Sequence, residues 1–251
     1  MNYHWNWGIF WEVSADGHNT WMMTLIHGLW WTIGTSLCAA VIALVIGSVI
    51  GVIRTTPHRW LVRFGNGYVE LFRNIPLLVQ LFLWFFVLPE VLPKAMGDWM
   101  KAMTPPWASF VPAVIGLGLF TSARVAEQVR AGIQALPRGQ LLAGTAMGLT
   151  LPQVYHYVLL PMAFRIILPP LTSEAMNLMK NSSVALTIGL VELTAAARSM
   201  QEFTFQVFEA FTAATIIYII VNLLVVSAMR YVERRVSVPG FIGPTVAAGA
   251  H

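Results

Sequence analysis

Long apolar runs broken by short polar stretches set the rhythm of this 251-residue chain. A membrane-crossing helix needs about 20 mostly apolar residues, and five stretches reach that length. The first runs from about Met22 to Ile53, the second from Gly67 to Leu88 and the third from Ala108 to Ile133. The fourth, Met162 to Leu190, is the least regular: Pro169-Pro170 interrupts it, and Glu174, Asn177, Lys180, Asn181, Ser182 and Ser183 make its middle polar. The fifth runs from Phe208 to Met229. Between the second and third, Pro89 to Trp107 mixes charges of both signs with Pro93, Pro105 and Pro106, and reads as an extramembrane loop. The stretch VELTAAARSMQEFTF before the last span is polar enough to surface, and the Gly/Ala-rich tail to His251 carries no pattern.

One connection stands apart. Pro137 to Pro161 has the length of a short helix and is punctuated by prolines at 137, 152 and 161. Pro137 suits a helix start, where the missing amide hydrogen is not needed. Pro152 disfavours the α conformation at Leu151, which predicts a short helix from about Arg138 to Leu151. Ala143, Gly144, Ala146 and Gly148 keep its side chains small. Such a helix is either a knob that another protein grips closely or a plain turn between membrane helices.

Composition narrows the class. The chain is 57% hydrophobic and 10% charged, against about 25% charged in soluble domains. It cannot solvate its own surface in water. The expected fold is an all-α membrane protein of about five transmembrane helices, one domain over residues 1–251 with its membrane core at about 22–230 and the connecting loop at 137–161. The net charge of +4 is spread along loops rather than clustered, which argues for membrane orientation and against nucleic acid. Arg54, Arg59, Arg63, Arg130, Arg138, Arg230, Arg234 and Arg235 fall on one side, so the positive-inside rule puts the N-terminus outside and the C-terminus and the Pro137–Pro161 loop in the cytoplasm. The N-terminal stretch does not read as a cleaved signal peptide. Its Trp5, Trp7 and Trp11 suit a segment lying at the membrane interface.

Catalytic chemistry has little to stand on. No G-x-x-x-x-G-K-[ST] loop is present to cradle nucleotide phosphates, and there is no H-E-x-x-H. The histidines lack metal spacing, and the single Cys38 excludes an intrachain disulfide. An enzyme is not expected, nor a metal or cofactor in this chain.

The loop carries a resemblance. Ala143, Gly148 and then Val158-Leu159-Leu160-Pro161 are similar to the EAA loop of ATP-driven importer permeases, although Leu142 stands where that loop often has Glu, Gly144 replaces an Ala and Val158 an Ile. FRNIPLLVQ, EQVRAGIQALPRGQ and KNSSVALTIGLVEL follow the order of the branch that carries polar amino acids, most like its glutamate/aspartate permeases. The resemblance implies one permease subunit of a bacterial inner-membrane importer. Its implied partners are membrane lipid, a second permease (homologous or identical), a periplasmic amino-acid-binding protein and cytoplasmic ATPase subunits that bind the ATP and Mg. Ala143, Gly144, Gly148 and Leu151 are the residues it points to for ATPase coupling. A secondary transporter is the competing class, but it would need its own coupling carboxylates, and only Glu127 and Glu174 qualify.

Ionisable side chains inside spans are costly, about 2.5–3.5 kcal/mol on insertion scales, so each needs a partner or a task. Arg124 offers a planar fork that takes a carboxylate bidentately, which would favour glutamate or aspartate. The alternative is an internal pair with Glu127, three residues on, which would leave the substrate open to glutamine, histidine or arginine. Glu174, Asn181 and Ser182 are the other candidates for substrate contact, with hydrogen bonding between helices as their structural alternative. Glu70 and Arg73, at i,i+3, are expected to pair locally. Gly47 and Gly51 share the GxxxG spacing of closely packed helices, or that of chance.

Overall fold

The computed structural model describes residues 3–236; the Gly/Ala-rich tail lies outside the described residues. Within them every regular element is helical apart from a single Val13–Thr20 bridge. Four helices are long and apolar enough to cross a membrane: α1 (Trp21–Ile53), α5 (Trp107–Gln134), α7 (Leu151–Ile188) and α9 (Val207–Val236).

The remaining span is broken. The sequence predicts one stretch from Gly67 to Leu88; instead α2 (Arg59–Asn74) and α3 (Leu77–Val91) meet at 101°. The cause is Pro76, which holds Ile75 extended (φ −95°, ψ 125°). Gln80 then reaches back, its Nε2 donating to the Phe72 and Ile75 carbonyls at 2.8 and 2.9 Å. Irregular backbone at membrane depth has to be satisfied in this way. The Pro89–Trp107 loop is also more ordered than expected, since it contains α4 (Lys94–Lys101), whose last residue pairs with Glu90 at 2.7 Å.

Two further expectations are corrected. The short helix α6 spans Arg138–Ala146 and stops before Leu151. Gly148 takes a left-handed φ of 84°, while its amide bonds to Thr145 and that of Leu149 to Gly144, closing the helix as a Schellman turn. Pro152 opens the next helix, in the first turn of α7, where Thr150 and Gln153 form a capping box. Nor do Pro169-Pro170 interrupt the fourth span, for the helix runs through them. Each ring removes one hydrogen bond but holds φ near the helical value. Further on, Ser182–Ile188 tightens to a 3-10 turn ended by Gly189 at φ 84°.

α5 is the centre of the bundle: 67% of its most apolar window is buried inside the chain, against 17% for α9. α1 lies against it through Gly47 and Gly51. A Cβ on either glycine would sit 2.6 Å from the Cβ of Val125 or Val129, so the GxxxG spacing is a true contact surface. On its other side α5 packs on α7, with Ile167 against Gly132. α8 (Leu193–Thr204) is amphipathic, burying Leu193, Ala196, Ala197 and Met200 against α1 and α9. Glu192 caps it through the amides of Thr194 and Ala195 and also accepts from Tyr218 at 2.8 Å, joining α8 to α9. The N-terminal segment is tied to α9 by Glu209, which accepts from the Tyr3 hydroxyl and the Asn6 amide. Its Trp5, Trp7 and Trp11 stay exposed while Ile9 and Phe10 enter the core. In the turn beyond, the Asn19 amide and side chain, the His18 amide and the Ser14 hydroxyl all donate to Asp16, holding its carboxyl well below the usual range.

Candidate functional site

A polar cavity of about 430 Å³ opens where α2, α5 and α7 meet, lined by Arg73, Phe120, Arg124, Glu127, Gln128 and Glu174. Two of the sequence candidates, Arg124 and Glu174, come together here from different helices. Arg124 Nη1 lies 3.8 Å from Glu174 Oε2, within ion-pair reach but beyond a hydrogen bond. That oxygen is buried and accepts no hydrogen bond. The Arg124 guanidinium also sits 5.0 Å over the Phe120 ring, and 42% of its side chain is exposed against 12% for Glu174. The pair is held close without a hydrogen bond between its members.

The alternative partner for Arg124 is engaged elsewhere. Glu127 Oε1 takes Arg54 Nη2 at 2.9 Å and Arg73 Nη1 at 3.4 Å, and Oε2 takes Arg130 at 3.3 Å. Arg54 is itself oriented by Asn66, which accepts from its Nε at 2.8 Å. The expected Glu70–Arg73 pair is likewise replaced, as Arg73 turns to Glu127 and Glu70 remains exposed. Spacing along one helix suggested both local pairs, whereas neighbouring helices supply the actual partners. Arg54 was legible in the sequence only as a loop charge, and nothing in its local pattern signalled a buried ion pair.

Asn181 and Ser182 do not line this cavity. Ser182 is fully buried and its hydroxyl donates to the Met179 carbonyl at 2.7 Å, within its own helix. Asn181 is the last residue of the α-helical part of α7, about 10 Å along the axis from Glu174.

The second candidate element is α6. Gly144 faces inward, and a Cβ there would lie 2.9 Å from Val154 on the first turns of α7. It is therefore a seat for α6 rather than part of the outer surface. Outward stand Ala143 and the apolar Leu142 and Met147, 65% and 81% exposed. Gly148 has open space around it, and Leu151 is half-buried at the start of α7. The Tyr155 hydroxyl donates to the Thr55 carbonyl at 2.8 Å, pinning the base of α7 to the end of α1. α6 is thus seated on α7, the helix that carries Glu174.

Comparison with known proteins gives this arrangement a family. Residues 43–238 match the family described as binding-protein-dependent transport system inner membrane component. The chain is 50% identical over 244 residues to the glutamate/aspartate import permease protein GltJ of Escherichia coli (strain K12), covering 97% of this chain and 99% of that one. A probable glutamine ABC transporter permease protein of Bacillus subtilis (strain 168), GlnM, is 31% identical over 84% of this chain and 92% of its own length. Among solved structures, the crystal structure of an amino acid ABC transporter with histidines is 31% identical, with a TM-score of 0.71 over 86% of this chain and 95% of that one. The chain belongs to the family of binding-protein-dependent transport system inner membrane components.

Proposed function

We propose that this chain is the membrane permease of an ATP-binding-cassette importer for glutamate and aspartate. The observation that carries the acidic specificity is the Arg124–Glu174 pair, set in a polar cavity at ion-pair distance without a hydrogen bond. A side-chain carboxylate can dock bidentately on Arg124, and the substrate ammonium can take its place beside Glu174. The long internal contact is then exchanged for two shorter ones. The 50% identity to a glutamate/aspartate import permease supports the same substrate class.

Energy enters from outside the chain. ATP and Mg belong to partner ATPase subunits, which grip the exposed Leu142–Met147 surface of α6 on the cytoplasmic side. The arginines clustered toward that end support this orientation, with the N-terminus periplasmic and the C-terminus cytoplasmic. A second permease completes the pore and a periplasmic binding protein delivers the amino acid. When the ATPases close, α6 pushes through its Gly144–Val154 seat on α7, roughly 30 Å along that helix from Glu174. The cavity then opens to one side or the other.

The test is ATP hydrolysis and uptake by the reconstituted complex, with its binding protein and a panel of amino acids. Glutamate and aspartate should stimulate both, and Arg124→Gln should reduce acidic uptake at least tenfold. Stimulation by a neutral or basic amino acid alone would discard the acidic reading. Undiminished acidic uptake by Arg124→Gln would remove Arg124 from it, and absence of an associated ATPase would overturn the importer.

A further inference from the structure

The same cavity holds a second arginine whose present partner does not depend on it. Glu127 is held on Oε1 by Arg54 at 2.9 Å and on Oε2 by Arg130 at 3.3 Å. Arg73 adds only a longer contact, 3.4 Å, to an oxygen already occupied. Its side chain is 56% exposed, whereas that of Arg54 is 5% exposed. Arg73 can therefore leave Glu127 without stranding a charge.

Charge bookkeeping around the cavity points the same way. Among the described residues, the ion-pair partners of Arg54, Arg73, Arg124 and Arg130 are Glu127 and Glu174. Two cationic groups, Arg73 and Arg124, line the cavity wall with their forks half-exposed. Arg73 makes a 3.4 Å hydrogen bond to Glu127, and Arg124 lies 3.8 Å from Glu174. Both ask for an anion, and an acidic amino acid brings two carboxylates.

We infer that Arg73 is a second specificity residue of the permease: it binds the α-carboxylate while Arg124 binds the side-chain carboxylate, so that the cavity reads a dicarboxylate by its two ends. This rests on the acidic-substrate reading of Arg124 above. Arg73 is also the penultimate residue of α2, just before the 101° break at Pro76, so its hold on the substrate ties that bend to occupancy of the cavity.

The experiment measures radiolabelled glutamate binding to the permease–ATPase complex in lipid nanodiscs, without the binding protein, which would impose its own selectivity. Competitors are glutamine, which lacks the side-chain charge, and the α-amide of glutamate, which lacks the other carboxylate. The unmodified complex should disfavour both amides about tenfold or more. In Arg73→Gln, glutamate should weaken about tenfold and the penalty against the α-amide should vanish, while the penalty against glutamine persists. Arg124→Gln should show the mirror image. If Arg73→Gln keeps the original order of all three ligands while Arg124→Gln loses its own preference, the Arg73 inference fails and the Arg124 reading stands. If both variants keep that order, both readings fall. Arg73→Lys should bind glutamate more tightly than Arg73→Gln and retain part of the α-amide penalty. Equal weakening of all three ligands in Arg73→Gln and Arg73→Lys marks a merely structural residue and overturns the inference.

Discussion

Arg54 Nη2 lies 2.9 Å from Glu127 Oε1, joining the end of α1 to the C-terminal half of α5 inside the bundle. Only 5% of the Arg54 side chain is exposed, so its charge depends on this carboxylate and on Asn66. Removing one partner of a buried pair costs about 3–5 kcal/mol. Glu127 is a quarter exposed, which lowers the expected figure. Glu127→Ala should destabilise by about 2 kcal/mol. Thermal unfolding in detergent should show a drop of roughly 5 °C in Tm. An unchanged Tm would mean that the Arg54 charge is met by water or lipid instead.

The close approach of α1 to α5 makes a second prediction. A Cβ at Gly47 would meet Val125 Cβ at 2.6 Å and the Ser122 carbonyl oxygen at 2.7 Å. Gly47→Ala should therefore destabilise by about 1–3 kcal/mol, as overpacking does. Trimming the facing side chain should not restore it, because Val125→Ala removes only the Cγ atoms and leaves both the Cβ and the Ser122 carbonyl oxygen in place. The double variant Gly47→Ala, Val125→Ala remaining at or below the stability of the single one, by the same unfolding assay, is the expected outcome. Full rescue would show that the two helices separate easily.

Gly148 offers a contrast. No atom lies within 4 Å of where its Cβ would be, yet its φ is 84°. Substitution is opposed by backbone conformation and not by space. A non-glycine residue held left-handed costs about 1–2 kcal/mol, and asparagine least. Gly148→Ala and Gly148→Leu should reduce coupled ATP hydrolysis to a similar extent, with Gly148→Asn retaining more. Activity that falls steadily with side-chain volume would instead place Gly148 directly in the ATPase contact.

Much of this was legible along the chain. α1 and α5 fall within a residue of their expected spans, and α9 starts within one residue of its own but runs on to Val236, because crossing lipid is a one-dimensional demand on hydropathy and length. The start of α6 at Pro137 followed from backbone chemistry that any chain obeys. The helix ends at Ala146 and not at Leu151 because Gly148, a residue able to turn left-handed, outweighs Pro152, which is compatible with a first turn. The bend at Pro76 had a local cue in Asn-Ile-Pro, yet hydropathy alone ran straight through it.

Partner choice was not legible. Glu70 with Arg73 and Arg124 with Glu127 both have i,i+3 spacing, and neither pair forms. Helical spacing states which side chains can meet on one helix. It is silent about the charge that an adjoining helix presents at shorter range. Arg73 and Arg54 turn to Glu127, and Arg124 to Glu174, because the glycine faces of α1 and α5 and the bend between α2 and α3 bring those groups together. The sequence by itself determined a membrane bundle and its family, and put Arg124 and Glu174 among four candidates for substrate contact. Only the tertiary structure decided that they share one cavity with Arg73, since electrostatic partnership is settled by distance in three dimensions and not by separation along the chain.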